Sequence, residues 1–146
     1  MIYSRSAEYA IRSFVYLARV PNGKFAMAKV IAEQEQIPAH FLAKILQDLT
    51  RKGLLRSSKG PSGGFALRTP AAQIRLLDLV EAVDGRAVAD SFSQGLSILD
   101  SWRDLHSRIM GYLEHNTIAD VAKAFDSKKS AVEKSKRGRR AAVKKS

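Results

Sequence analysis

Seven residues constrain this chain most: Ser58-Lys59-Gly60-Pro61-Ser62-Gly63-Gly64, a basic, glycine-rich turn between Leu54-Leu55-Arg56-Ser57 and Phe65-Ala66-Leu67-Arg68. The flanking tetrapeptides suit paired strands, and three glycines permit positive φ and close approach of the backbone to another surface. Free backbone N–H groups in such a turn, beside Lys59, suit phosphate oxygens. The plainer reading is a flexible hairpin loop, but the preceding segment favours the first. Residues 38–52 place Leu42, Ile45, Leu46 and Leu49 on one side of a helix and His40, Ala43, Lys44, Gln47 and Arg51 largely on the others. Gly53 stops that helix, with Arg51 and Lys52 favourable at the negative end of its dipole. A shorter helix fits 28–35, with Val30 and Ile31 inward, and Ile37-Pro38 makes the break between the two. Two helices joined by a tight turn form a helix-turn-helix, or else an ordinary helical hairpin whose polar front faces water. With a hairpin following, the expected fold is mostly α with a small β-hairpin: a winged helix-turn-helix.

The same turn spells G-x-S-x-G from Gly60 to Gly64, the pattern of the α/β-hydrolase nucleophile elbow, with Ser62 as nucleophile. That elbow needs a strand before it, a helix after it, a large parallel sheet, and a later histidine and acid. Here a strand-like segment follows, and 146 residues are too few for that sheet. No Gly-Lys-Ser/Thr closes the turn, so it is not a P-loop. No catalytic residue is assigned, and an esterase-like Ser62 rests on a literal motif match alone.

Ahead of this unit, Ala7, Ala10, Ile11, Phe14, Leu17 and Ala18 recur at helical steps, capped by Ser4 or Ser6 and ended by Pro21-Asn22-Gly23. Behind it, Ile74, Leu76, Leu77, Leu79, Val80 and Val83 form a helix stopped at Asp84-Gly85, which closes a domain over 1–85. Residues 86–97 read as a loop. Ile98, Trp102, Leu105, Ile109 and Leu113 then recur near the 3.5-residue period of a helix packed lengthwise on another helix. A small domain has little interior to cover that seam, so it reads as a dimer interface; packing back onto its own domain is the alternative. Thr117 and Asp120 open a short closing helix with Ile118, Val121, Ala122 and Phe125 inward, completing a dimerisation unit over 98–125. The tail, 126–146, is rich in Lys, Ser, Ala and Arg, cannot form a core, and is expected to be disordered.

Charge follows the same division. Of a formal +11, the tail carries +7 from nine Lys/Arg against Asp126 and Glu133, which leaves +4 for the first 125 residues. That asymmetry is expected of a nucleic-acid binder with an added arm. An anionic membrane would also attract such a tail, but no Trp, Leu, Ile or Phe follows Asp126 to insert. The N-terminal apolar run is broken by Arg5, Glu8, Arg12 and Arg19, unlike a signal peptide or span, so a cytoplasmic location is the default. The absence of cysteine removes disulfides, thiolate zinc sites, redox thiols and all-cysteine iron–sulfur ligation. His106 and His115 lie about 180° apart around a helix and cannot chelate one metal ion from one chain, so no metal ligand is assigned.

The motifs SAEYAIRSFVYLA (6–18), IPAHFLAKIL (37–46), KGLL (52–55), KGPSGGF (59–65), LLDLVEAVDG (76–85) and WRDL (102–105) resemble the Rrf-type winged helix-turn-helix transcriptional regulators, the IscR/NsrR/RirA/CymR family. The likeness covers roughly residues 1–125, and the tail lies outside it. It implies a homodimeric bacterial regulator, most often a repressor, on a two-fold operator of double-stranded DNA, with the third helix in the major groove and the wing tip near the minor groove. Carried over, Ala39, His40 and Lys44 fall on the front of the recognition helix, and Lys59, Gly60, Pro61 and Ser62 on the wing. Lys44, able to donate to guanine O6 or N7, is the leading base contact. Sensory members hold an iron–sulfur cluster on three cysteines ahead of the long helix. The matching loop here, 85–98, has none, so the chain resembles a cysteine-free member without a cofactor. Glu8 sits where some relatives recruit an acid ligand; alone it cannot hold a cluster, and a structural or dimer contact is expected of it. A small-molecule effector, a partner protein or no signal at all is each compatible with that loop. The competing class is a non-specific architectural nucleic-acid-binding protein driven by the tail.

Overall fold

The computed structural model describes residues 4–86 and 100–144, the side chain of Trp102 excepted. Its elements are α1 (Arg5–Ala18), α2 (Ala28–Glu35), α3 (Ala39–Arg51), β1 (Leu55–Ser58), β2 (Gly64–Leu67), a 3-10 turn (Ala71–Gln73), α4 (Leu76–Asp84), α5 (Asp100–His115) and α6 (Ile118–Lys144). This is the mostly helical chain with one antiparallel hairpin that the pattern predicts.

Helix α1 is the hub, packing on α2, α3, α4, β2 and α6 through Ala7, Ala10, Phe14 and Leu17, all buried. Ser4 caps it: its hydroxyl oxygen accepts from the Ala7 N–H at 3.1 Å. The Ser4 N–H and hydroxyl in turn donate to the Asp84 carboxylate, the N–H at 2.8 Å, so the end of α4 is tied to the positive end of α1. Leu42, Leu46 and Leu49 of α3 are fully buried beside it, as the period predicts. In α2 the inward pair is Ile31 and Ala32, while Val30 is 40% exposed, against expectation. A two-turn helix buries one stripe, and Val30 lies roughly 150° around from the centre of Ala28, Ile31 and Ala32.

The hairpin pairs Leu55 with Leu67, Arg56 with Ala66, Ser57 with Phe65 and Ser58 with Gly64. It does not stand alone. Ala26, just ahead of α2, exchanges both backbone hydrogen bonds with Phe65, at 2.9 and 2.8 Å. Gly64 makes this possible: at φ +132° it lies so close to Ala26 that a Cβ would fall inside the Ala26 carbonyl.

The helices α4 and α6 start side by side. Leu76 N–H donates to the Asn116 carbonyl at 3.0 Å, and Ile118 N–H to the Ile74 carbonyl at 2.9 Å, around an antiparallel bridge of Arg75 with Thr117. Each start carries an aspartate three residues on. Asp78 accepts from Arg75 N–H at 3.2 Å, and Asp120 from Thr117 N–H at 2.8 Å. The bond from the Arg75 side chain holds the Asp78 carboxyl below the usual range, and that from the Thr117 N–H does the same for Asp120.

Two expectations for the C-terminal half are corrected. The seam is not one continuous stripe. Leu113 is 6% exposed and Ile109 half-buried, both on the protomer's own core, where α5 packs against α4. The junction beside Asn116 and Thr117 turns the last part of α5 inward, so the predicted dimer contact at Leu113 is used within the protomer. Leu105 is 44% exposed. Ile98, the side chain of Trp102 and the loop residues 87–97 lie outside the described residues.

The second correction concerns the tail, expected disordered after a short helix: α6 continues unbroken to Lys144. Every described residue from Lys123 onwards is exposed, so no core holds it. Ala, Lys, Arg and Glu are strong helix formers, no proline interrupts them, and the packed, capped first turn removes the cost of nucleation. Phe125, expected inward, is 52% exposed beneath the Arg19 guanidinium, which lies 5.1 Å from its ring centroid.

Gly64→Ala should separate the wing from the body, lowering the melting temperature well beyond Gly60→Ala. Gly60, at φ +98° with open space around it, should cost only about 1 kcal/mol. The stability drawn from Asp78 and Asp120 is complete above the unfolded value near 3.8 and lost as pH falls through their lower folded values. Circular-dichroism melts of Asp78→Asn/Asp120→Asn should therefore show a smaller drop than the wild type between about pH 6 and about pH 3.

Candidate nucleic-acid interface

Helix α2 ends at Gln36, held at φ 54° and ψ 47°, a left-handed conformation that costs a non-glycine residue about 1–2 kcal/mol. It turns the chain so that Ile37 N–H reaches the Ala32 carbonyl at 2.9 Å and the Ile37 side chain is buried. Arg12 of α1 braces the corner. Its guanidinium donates to the Glu35 carbonyl and lies 3.6 Å from the Glu35 carboxylate and 3.5 Å from that of Glu8. The expected structural contact of Glu8 is therefore an i,i+4 ion pair within α1.

Helix α3 begins after Pro38 with no side-chain cap, so the leading N–H groups of Ala39, His40 and Phe41 offer the positive end of its dipole to an anion. With its back on Leu42, Leu46 and Leu49, helical spacing places His40, Lys44, Gln47 and Arg51 along one front, and all four are exposed. Ala39 is exposed at the tip. Phe41 was not singled out from the sequence, yet it is 53% exposed, with its ring centroid 4.5 Å from that of His40. The available signal was a large aromatic off the buried stripe of an amphipathic helix. Lys44 forms no ion pair among the described residues. Farther along, Asp48 meets Lys52 at 3.0 Å and Arg51 at 3.6 Å, and the Lys52 bond holds its carboxyl below the usual range. The only acid on this helix is thereby neutralised, and Lys52 also donates to the Ala82 carbonyl at the end of α4.

At the wing, Lys59, Gly60, Pro61 and Ser62 are all exposed. Gly63 N–H donates to the Gly60 carbonyl at 3.0 Å, closing the turn around Pro61 and Ser62. Of the N–H groups expected to be free for phosphate, that of Gly63 is therefore engaged, and Gly63 is buried with no room for a Cβ beside the Ser58 carbonyl. Ser62 is followed by strand β2, not by a helix, so the elbow geometry is absent. Arg56 on β1 lies with its guanidinium 5.6 Å from the Phe25 ring centroid, at the base of the wing.

Residues 24–68 hold eight Lys/Arg and three acids, a net +5 against +4 for the first 125 residues together. The helix-turn-helix and wing therefore carry the whole positive excess of the body. Six of those cations, Lys24, Lys29, Lys44, Arg56, Lys59 and Arg68, make no ion pair among the described residues. Among those residues, no group of three or more His, Cys, Asp or Glu side chains converges as a metal site, and no helix is long and apolar enough to cross a membrane.

Known proteins resemble this chain in sequence and in fold. Residues 3–124 match the family model described as Rrf2, an iron-dependent transcriptional regulator. A protein of Mycobacterium tuberculosis (strain H37Rv) described as an HTH-type transcriptional regulator is 34% identical over 132 residues, covering 84% of this chain and 81% of its own. One from Aquifex aeolicus, similarly described, is 28% identical over 137 residues, covering 83% and 91%. Among solved structures, CymR (YrzC), the global cysteine regulator of B. subtilis, superposes with a TM-score of 0.68 at 19% identity, covering 83% of this chain and 95% of its own. T. potens IscR gives 0.67 at 23% identity, covering 83% and 85%.

Proposed function

The chain belongs to the Rrf2 family of DNA-binding transcriptional regulators, and from that premise we propose that it acts as a cytoplasmic, homodimeric repressor on a two-fold operator, without an iron–sulfur cluster. It is a regulator and not an enzyme. The observation that carries the proposal is the exposed front of α3, with the unpaired Lys44 at its centre, held on the same braced unit as the unpaired Lys59 of the wing. Helix α3 enters the major groove. There Lys44 donates to guanine O6 or N7, His40 and Gln47 reach neighbouring base edges, and Phe41 meets a thymine methyl. Its uncapped N-terminus receives a phosphate. The wing follows the backbone, with Lys59 toward a phosphate or the minor groove and Gly60-Pro61 shaping the approach.

The second copy joins through the long-helix seam at the exposed Leu105, with Ile98 and Trp102 of the same sequence stripe. Dimer symmetry then pairs two recognition helices with two half-sites. The iron in the family's description does not fit this chain's donors. It has no thiolate, and Glu8, at the place where relatives recruit an acid, is ion-paired with Arg12. An effector, if one acts, is a small molecule or partner at the loop ahead of α5.

Selection from random duplexes should recover a palindromic site. On it, Lys44→Ala should cost about 1–3 kcal/mol while binding to scrambled DNA changes little. An equal loss on every sequence would reassign Lys44 to a phosphate. Lys59→Ala should instead weaken all duplexes together and lower the slope of log K against log salt by about 1. Sedimentation at micromolar concentration should show a dimer, and a monomer there would refute the two-fold operator.

A further inference from the structure

The family match stops at residue 124, so family membership leaves most of α6 unaccounted for. We propose that residues 126–144 form a second DNA-binding element, a basic helical arm that grips the phosphate backbone of the duplex flanking the operator. The proposal rests on the DNA-binding function above and adds a separate site to it.

The charge is unusually unopposed. Residues 126–144 hold eight Lys/Arg against Asp126 and Glu133, and Asp126 is already neutralised by Arg19 at 3.1 Å. None of the eight forms an ion pair among the described residues, and all are exposed. By contrast, Arg75, Arg103 and Arg108 of the body each lie against an aspartate one turn away. Around the helix these eight cations cover an arc of about 240°, wide enough to meet a curved phosphate surface in several orientations and too wide for one acidic side chain.

The arm is also aimed from a fixed base. Ile118 and Ala122 are buried, and Arg19 holds both Phe125 and Asp126, so the helix leaves the body at the end of α1. Tyr16 and Val20 there line two shallow cavities. One opens onto Pro61, Ser62 and Gly63 of the wing, the other onto Lys123, Asp126 and Lys129 at the root of the arm and Gln34 of α2. The arm thus springs from beside the elements that engage DNA. Its 19 residues span about 28 Å, the length of about eight base pairs. Once α3 and the wing are seated, flanking phosphates stand at a high effective concentration around it. A membrane fits less well, since among the described residues the large exposed apolar groups past Phe125 are Val132 and Val143, two short side chains widely separated along the arm.

The test compares the full chain with its Lys136→Gln/Arg137→Gln/Arg139→Gln/Arg140→Gln variant by fluorescence anisotropy. Two duplexes are used: the selected operator alone, and the operator with roughly ten extra base pairs on each side. The full chain should bind the longer duplex roughly tenfold more tightly near 50 mM salt, with the advantage vanishing toward 200 mM. The variant should lose that advantage and show a salt slope shallower by about 2–4 on the long duplex, while its preference for operator over scrambled sequence persists. Deleting 127–146 should reproduce the variant. Equal binding of the full chain to both lengths, or a flank advantage kept by the variant, would overturn the proposal. So would a larger arm-dependent affinity for phosphatidylglycerol vesicles or single-stranded RNA than for duplex DNA. If selection recovers no preferred site, the operator reading fails on its own. The arm is then judged by the same change of salt slope on random duplexes of two lengths.

Discussion

Two backbone hydrogen bonds between Ala26 and Phe65 hold the helix-turn-helix and the wing in register. A two-stranded hairpin is marginal in water by itself, and four residues per strand make this one smaller than most. The bridge from Ala26 to the outer edge of β2 changes its standing. Ala26 lies two residues before the start of α2, so the wing is bonded to the start of the helix-turn-helix and keeps its distance from α3. The requirement reaches the sequence as a glycine at position 64, where any side chain would collide with the Ala26 backbone. Arg12 completes the frame from the other side by fastening the end of α2 to α1.

Electrostatics divides the chain as sharply as packing does. Where a cation lies within a turn of an aspartate, the pair is made and its field is cancelled locally, as at Arg75 with Asp78 and at Arg51 and Lys52 with Asp48. Such exposed pairs add little stability, and their larger effect is to remove charge from the surface. Apart from Arg5 and Lys123, the cations left over among the described residues gather on two stretches, 24–68 and 128–144, and these are the two that face polyanion in the proposed complex. Net charge alone conceals this, because the remainder of the body is close to neutral.

Helix period and cap chemistry made most of the fold readable. The bounds of α2, the proline before α3, the glycine after it, Ser4 as a cap and the Thr117–Asp120 box all follow from local rules. What escaped depended on which surface a stripe meets. Val30 and Ile31 are both apolar neighbours, and only the placement of α1 and α3 decides that one is buried and the other is not. Leu113 fits an external seam as well as an internal one until the junction with α4 turns it inward. The tail failed for a different reason, since lack of a core excludes globular packing but not a solvated helix of good helix formers. In the helix-turn-helix and wing, Lys44 and the exposed wing tip were readable as polar front and glycine turn. Phe41 was not, because an aromatic residue on a helix reads first as core.

The backbone exchange between α4 and α6 has a mechanical consequence. A regulator whose reader and dimerisation parts were joined by a pliant tether could tolerate variable gaps between half-sites. Here Leu76 with Asn116, and Ile118 with Ile74, stitch the two parts as strands are stitched in a sheet, and α6 lies along α1 for its first turns. No slack is left at that joint to absorb a change in separation. Two copies docked through α5 would carry their recognition helices like the points of a pair of dividers locked at one opening, and insertion of a single base pair between half-sites would swing one point about 34–36° out of its groove.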